Sequence, residues 1–466
     1  MKIITVANRI ALKDYSFITV ENKKLYKLVK NGANLLLDTS ICEVVSDKKE
    51  TKPILEIKNS SVENEVIITT FGYVGRFSYA GVTFDITYRF GEKLLDRMIS
   101  AVNDFDVDVL EYEAKSSKKQ SDNLAMKILY LNFIFKLKKL SIMGVPKSYE
   151  KIEHHDTKLR GQIDINRFMQ KDIPFNGKIA STSYEQVYVQ EIVDVLYSAL
   201  QIVEKNGLKE LITRKLFQIR NLIYNHSTQV FVNGGVIEKA LHHKSIQNSL
   251  YKEFKPVLEI ASYIISYENK FEYKANNTLN GLILDVSLLW ESYLYKLLKE
   301  AFEKDEWVVL HEDTNELYKE QFYKRTIKPD IVIKNETSKE ILVFDAKSKS
   351  MKFTQGLGDG SYGDLDRSDF FQINTYMTYY DKKGKEVIAG GLLYPIEGSF
   401  EIEKSHSDDW FDSPNTKFIV DGIDLSLKKD SEDKEISLTL KNIQEREDAF
   451  IERLKTLIIS NNDANR

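Results

Sequence analysis

Two short apolar runs, Ile331-Val332-Ile333 and Ile341-Leu342-Val343-Phe344, flank the polar segment Asn335-Glu336-Thr337-Ser338-Lys339. No other feature constrains the chain as strongly, because the pattern predicts a β-hairpin with a defined register. If the turn pivots on Thr337-Ser338, Asp330 falls opposite Asp345. Directly opposed side chains on antiparallel strands have Cβ atoms about 4.5–5.5 Å apart, and like charges there repel. Two facing carboxylates therefore favour a cation between them. Side chains alternate along a strand, so Lys347 shares the face of Asp345 while Phe344 and Ala346 point the other way. A turn one residue longer would spoil this pairing.

Oxygen donors of this kind suit Mg2+, with Mn2+ as the second choice; such an ion keeps several waters and is held by one or two carboxylates. The carbonyl of Ala346 offers a further ligand. A metal there would polarise a phosphate and supply a nucleophilic water. Lys347 would orient or deprotonate that water, or neutralise charge in the transition state. Upstream, Leu282 to Glu300 reads as a helix. Leu282, Val286, Leu289, Tyr293 and Leu297 form one apolar stripe, and Leu284, Leu294 and Leu298 line the side that carries Glu291. A helix apolar nearly all round is buried, and a buried carboxylate needs a partner, so Glu291 is expected to reach the same ion directly or through water. Downstream, Phe370, Ile373, Met377 and Tyr380 recur at helical spacing as a core face, with Asp369, Gln372 and Tyr376 on an adjoining polar face. The Gly-rich stretch Gly356 to Gly363 precedes that helix and is expected to close over the site. Singly, a Pro-Asp, an Asp-x-Lys or a helical Gln is ordinary. The weight lies in their order: helix Glu291, strand Asp330, strand Asp345-x-Lys347, helix Gln372-x-x-x-Tyr376.

The rest of the chain frames this unit. At 466 residues, with 42% hydrophobic and 11% aromatic content, it is folded and exceeds one domain. Up to about Val109, short β-type runs at Tyr26 to Val29, Ile54 to Ile57, Val66 to Thr70 and Val82 to Tyr88 predict a β-rich domain over 1–113, closing with a helix from Leu94 to Val102. Ala114 to Asp122 is polar and charged, as a linker or exposed loop would be. Residues 124–270 read as a helical middle domain, with helices beginning at Leu124 and covering Val187 to Lys205, Leu211 to Tyr224 and Leu250 to Tyr267. Residues 278–460 then form an α/β unit with a mixed sheet, and the tail from Ser460 to Arg466 is expected to fray. The fold class is α+β, multidomain.

Composition excludes several classes. A single cysteine, Cys42, rules out an internal disulfide or a cysteine-based zinc site, and fits a cytoplasmic protein. No signal-peptide core and no apolar run of about 20 residues is present, so no membrane association is expected. The net charge of −4 demands that any nucleic-acid surface be local. Lys319, Lys324, Arg325, Lys328, Lys334, Lys347, Lys349 and Lys352 gather where it would be. The pairs His154-His155 and His242-His243 read as surface histidines. Arg160, beside Gly161, is either a phosphate or partner contact or half of a salt bridge. The sequence holds no Gly-x-x-x-x-Gly-Lys-[Ser/Thr] phosphate loop, so nucleotide hydrolysis by that route falls to another chain.

The order of motifs resembles the PD-(D/E)xK nuclease superfamily, and Phe344-Asp345-Ala346-Lys347-Ser348-Lys349 with Asp369-x-x-Gln372-x-x-x-Tyr376 resembles the McrC-like nuclease subunits. Trp290-Glu291-Ser292-Tyr293 is similar to the helix that leads into their nuclease fold, and Leu159-Arg160-Gly161-Gln162-Ile163-Asp164 to a Leu-Arg-Gly segment common in such chains. The segment Thr83 to Phe90 departs from the family in lacking a following Pro-Lys. The resemblance implies a restriction-endonuclease-like C-terminal fold, double-stranded DNA as substrate and an McrB-like AAA+ GTPase motor as partner, docked through the N-terminal domain. It implies a role in restriction of foreign or modified DNA. Two other readings stand beside it: a stand-alone restriction or repair nuclease, and a non-catalytic adaptor bridging a motor and DNA.

Overall fold

Apolar residues alternate along Phe17–Glu21, Pro53–Asn59 and Glu65–Thr70 and bury one side of each strand. In a computed structural model these strands form a five-stranded sheet in the order Lys2–Ile3, Phe17–Glu21, Glu65–Thr70, Pro53–Asn59, Leu35–Asp38. The structure describes residues 2–3, 9–30, 34–39, 43–44, 51–102, 124–269, 281–303, 307–318, 325–349, 351–352, 365–397, 405–407, 409–411, 413, 415–426 and 438–464. Cys42, the linker Ala114 to Asp122, Lys319, Lys324 and the Gly-rich stretch Gly356 to Gly363 lie outside the described residues. A second five-stranded sheet runs Arg9–Lys13, Val82–Thr87, Tyr73–Tyr79, Gly281–Asp285, Glu43–Val44. Val20, Ile57 and Ile68 of the first sheet share one core with Ile10, Phe77, Phe84 and Ile283 of the second.

Two sequence expectations change here. Tyr26 to Val29 is helical, within Lys23–Val29, because the Asn22 side chain accepts from the backbone of Lys24 and Leu25 (3.1 Å each) and Leu25 and Val29 are buried one turn apart. The helix expected from Leu282 begins only at Val286: Leu282 to Asp285 is a strand paired antiparallel with Tyr73–Tyr79, and Asp285 caps the helix through Ser287 N (2.9 Å) and Leu288 N (3.3 Å). Leu284 therefore belongs to the strand.

The C-terminal sheet is mixed. Its order is Trp307–His311, Ile331–Asn335, Glu340–Ala346, Glu386–Glu397, Lys417–Asp424, His406–Ser407, with Met351–Lys352 also paired to Glu386–Glu397. Glu340–Ala346, Glu386–Glu397 and Lys417–Asp424 run parallel. The first of these parallel steps crosses over through the helix Arg367–Lys382, whose Ile373, Met377 and Tyr380 pack on Val332, Val343 and Val387. The close approach depends on Gly390, where a Cβ would lie 2.7 Å from Met377 Sδ and 2.9 Å from the Val343 carbonyl. The helix Val286–Phe302 also meets this sheet, with the Trp290 indole reaching the Leu393 carbonyl at 3.5 Å. The C-terminal helix runs Leu440–Ala464, through most of the tail expected to fray.

Residues 1–107 and 279–466 make up one unit and residues 108–278 another. In the second, the stripe Ile192, Val195, Leu196, Ala199, Leu200 and Val203 is buried on Gln190–Val203, as its spacing requires. The kink at Asn206-Gly207 follows, where Gly207 takes a positive φ of 98°. Lys209–Lys215, Phe217–His226 and Phe254–Asn269 are helical. The unit is not helical throughout. Lys147–Asp156, Ile179–Tyr188 and Gln162–Ile163 form a three-stranded antiparallel sheet. The Lys147–Asp156 strand is polar or charged at most positions, so it carries none of the apolar alternation that betrays a strand. Among the described residues no helix is long and apolar enough to cross a membrane.

Candidate active site

The hairpin register decides the site. Ile331 pairs with Phe344, Val332 with Val343, Ile333 with Leu342 and Lys334 with Ile341. Each pair fits a pivot at Thr337-Ser338, and the turn is set locally: Asn335 Oδ1 accepts from Thr337 N at 2.9 Å and Ser338 N at 3.1 Å. The same register brings Asp330, just before its strand, opposite Asp345. The backbone locks both ends, since Ala346 N donates to Asp330 Oδ2 at 2.7 Å and Glu312 N to the Asp330 carbonyl at 3.0 Å.

Asp345 is buried and ion-paired with Lys347. Lys347 Nζ also lies 3.4 Å from Asp369 Oδ1 and donates to Gln372 Oε1 at 3.1 Å, while Gln372 Nε2 donates to Tyr376 Oη at 2.8 Å. The polar face of the Arg367–Lys382 helix thus borders the hairpin's acids. Burial drives the Asp330 carboxyl well above the usual carboxylate range, and the charges of Asp345 and Glu291 add to this. Burial raises Asp345 as well, against the pull of Lys347. Burial alone would lower the Lys347 amine, but Asp345, Asp369 and Asp330 outweigh it and hold it above its ordinary value. Titratable groups perturbed together in this way make the cluster a candidate functional site.

Glu291 sits buried on the Val286–Phe302 helix, its Oε1 3.1 Å from His311 Nε2, whose ring stacks on Tyr295. Glu291 Oε1 and Asp345 Oδ2 are both buried, the first with His311 Nε2 at 3.1 Å and the second against the Lys347 ammonium. Carboxylate oxygens have more lone pairs than these neighbours occupy, so both can still bind a further group. Among the described residues no three His, Cys, Asp or Glu groups gather tightly enough to hold an ion alone. A divalent ion here could draw on two carboxylates, Asp330 and Asp345, and the Ala346 carbonyl, and would need water to complete its shell, as Mg2+ commonly does.

Three neighbours add to the expected catalytic and metal-binding residues. Asp369 is buried and meets Lys347, Lys349 Nζ (2.5 Å) and Tyr394 Oη (3.4 Å). Lys349 also reaches Asp366 at 3.1 Å. The Asp-x-Lys-x-Lys spacing gave a signal for Lys349; nothing in sequence signalled His311, which joins Glu291 only in three dimensions. Local carboxylates engage further members of the basic cluster, Lys328 with Glu312 (2.7 Å) and Lys334 with Glu336 (2.6 Å). In the other unit, Arg160 pairs with Asp156 at 3.3 Å, and His155 with the buried Asp172 at 2.6 Å.

A sequence model of the family described as McrBC 5-methylcytosine restriction system component matches residues 56–395. No curated protein matches the chain. Among solved structures, the chain is similar to a half-complex from a tetradecameric assembly of Thermococcus gammatolerans McrB AAA+ hexamers with bound McrC. That match has 13% identity and a TM-score of 0.49, covering 97% of this chain and 100% of that one. It is also similar to the Thermococcus gammatolerans McrBC complex, at 15% identity and a TM-score of 0.31, covering 63% of this chain and 88% of that one.

Proposed function

The chain belongs to the McrBC 5-methylcytosine restriction system component family, and from that premise we propose that it is the system's McrC-like subunit, a metal-dependent endonuclease of the PD-(D/E)xK class acting on double-stranded DNA. The observation that carries this reading is the hairpin register, which sets Asp330 against Asp345 with Lys347 on the same face. Asp330, Asp345 and the Ala346 carbonyl would hold Mg2+, or Mn2+, with Glu291 reaching it through water. Bound there, the ion supplies Lewis-acid polarisation of the scissile phosphate and an activated water.

The chain's own residues do the rest. Lys347 presents an ammonium to the phosphate oxygens where charge grows during in-line attack. Gln372 Oε1 accepts a hydrogen bond from the amine and so fixes its direction, and Tyr376 fixes Gln372 in turn. An McrB-like AAA+ GTPase is the proposed partner; family membership supports it, and so does the lack of a phosphate loop in this sequence.

Cleavage of methylated plasmid DNA by the chain with Mg2+, alone and with its motor, tests the reading. Cutting that needs both chains, stops with EDTA and disappears in Asp345→Ala and Lys347→Ala is the expected result. Restriction of phage unchanged in those two variants would instead identify an adaptor, and strong cutting by the chain alone a stand-alone nuclease.

A further inference from the structure

The residue that follows Lys347 is held by the N-terminal sheets. Lys347 N still donates to the Leu393 carbonyl at 2.9 Å, a bond within its own sheet. One residue on, the Ser348 carbonyl accepts from Arg89 Nη2. The buried Ser348 hydroxyl lies 2.7 Å from Tyr15 Oη and 2.9 Å from Ser287 Oγ, and those two oxygens are 3.1 Å apart. Three hydroxyls from three elements thus close on one another: Tyr15 after the Arg9–Lys13 strand, Ser287 in the first turn of the Glu291 helix, and Ser348 at the exit of the Asp345 strand.

Arg89 is itself immobilised. Asp14 accepts from its backbone N at 2.6 Å and from Nη1 at 2.5 Å, and the guanidinium packs over the rings of Tyr15 (4.8 Å) and Phe90 (4.5 Å). Its buried Nε donates no hydrogen bond to the described residues, and Glu397 Oε1 stands off at 3.8 Å. Burying a guanidinium with one donor unsatisfied costs stability, which the bonds of its other donors offset. Those donors hold Asp14 on one side and the peptide next to Lys347 on the other.

The geometry points to Arg89 and Tyr15 as positioning residues for the Lys347 amine: the N-terminal sheets grip Ser348, and that grip sets the direction in which the Lys347 side chain leaves its strand. Its catalytic consequence rests on the nuclease reading above; the positioning does not. The N-terminal sheets are in this sense scaffold of the active site, and a displacement of the Asp14–Arg89 pair would reach Lys347 through one peptide.

The test uses the full chain and two independent readouts. The first is acylation of the Lys347 amine by a water-soluble succinimidyl ester, followed by mass spectrometry, with the exposed Lys382 as internal control. In Arg89→Gln the Lys347 rate rises several-fold while Lys382 does not change. Tyr15→Phe, which removes one oxygen and spares the fold, moves Lys347 in the same direction, and Arg89→Lys recovers part of the protection. The second readout is steady-state cleavage with the motor partner, where kcat falls by roughly tenfold to a hundredfold at constant KM for DNA, the signature of a misplaced group. Unchanged Lys347 labelling in folded Arg89→Gln and Tyr15→Phe overturns the assignment, whatever cleavage does. If labelling changes but the wild-type complex never cuts DNA, the nuclease reading fails and the positioning stands.

Discussion

Asp369 illustrates how a single side chain gains meaning from its neighbours. It was legible as a polar residue on a helix face, but its contacts with Lys347 and Lys349 make it the counter-charge of both amines. Asp369→Asn leaves the acids of the hairpin intact, so the Mg2+ concentration for half-maximal cleavage is expected to stay constant while kcat drops about tenfold. A magnesium titration at saturating DNA separates the two quantities. Asp14 offers a prediction in pH. Burial lifts its carboxyl from 3.8 to about 6, against the opposing pull of Arg89. The folded chain therefore binds more protons than the unfolded chain between these values. Its contribution to stability is full below about pH 4 and is lost as pH rises through about 6, an effect of about 3 kcal/mol. The stability of wild type relative to Asp14→Asn should fall by that order between pH 4 and 7 in urea titrations; a difference flat with pH would contradict the assignment.

At the scale of elements, the hairpin was readable because everything that sets it is local. The turn residues, the two apolar runs and the period of two lie within Pro329 to Lys347, and the observed pairs agree with the expected pivot. The Arg367–Lys382 helix was readable for the same reason, its core face recurring every three or four residues. Its distance from the sheet was not, because that depends on Gly390 facing Met377 and the Val343 carbonyl. Gly390→Ala is expected to cost about 2 kcal/mol, since only part of the clash lies with a flexible side chain. The shift would also carry Gln372 and Tyr376 away from Lys347. Thermal melts register the first effect and cleavage rates the second. The Lys147–Asp156 strand escaped notice because its residues are mainly polar and its partner, Ile179–Tyr188, lies downstream with no apolar alternation of its own.

At the scale of the molecule, residues far apart in sequence share single cores. Arg97 donates to Glu447 at 2.8 and 2.7 Å, and Tyr293 donates to the same carboxylate, so that one buried acid ties the helices Glu92–Val102, Val286–Phe302 and Leu440–Ala464. Glu447→Ala strands a guanidinium and a phenol, and is expected to cost roughly 3 kcal/mol in denaturant unfolding. A fragment restricted to residues 278–460 would lose more, because Gly281–Asp285 keeps no strand partner and Glu447 no Arg97. Such a fragment should show fast amide exchange across Val286–Phe302, where the whole chain is protected.

By itself the sequence determined the hairpin, its register, the run of acids and amine along one face and the helix that borders them, because turn chemistry and side-chain periodicity act over a few residues. Only the tertiary structure decided that Leu282 to Asp285 joins the sheet of Tyr73–Tyr79, that His311 meets Glu291, and that Arg89 and Tyr15 hold Ser348. Those contacts arise from burial and hydrogen-bond satisfaction between distant segments, which no local pattern encodes.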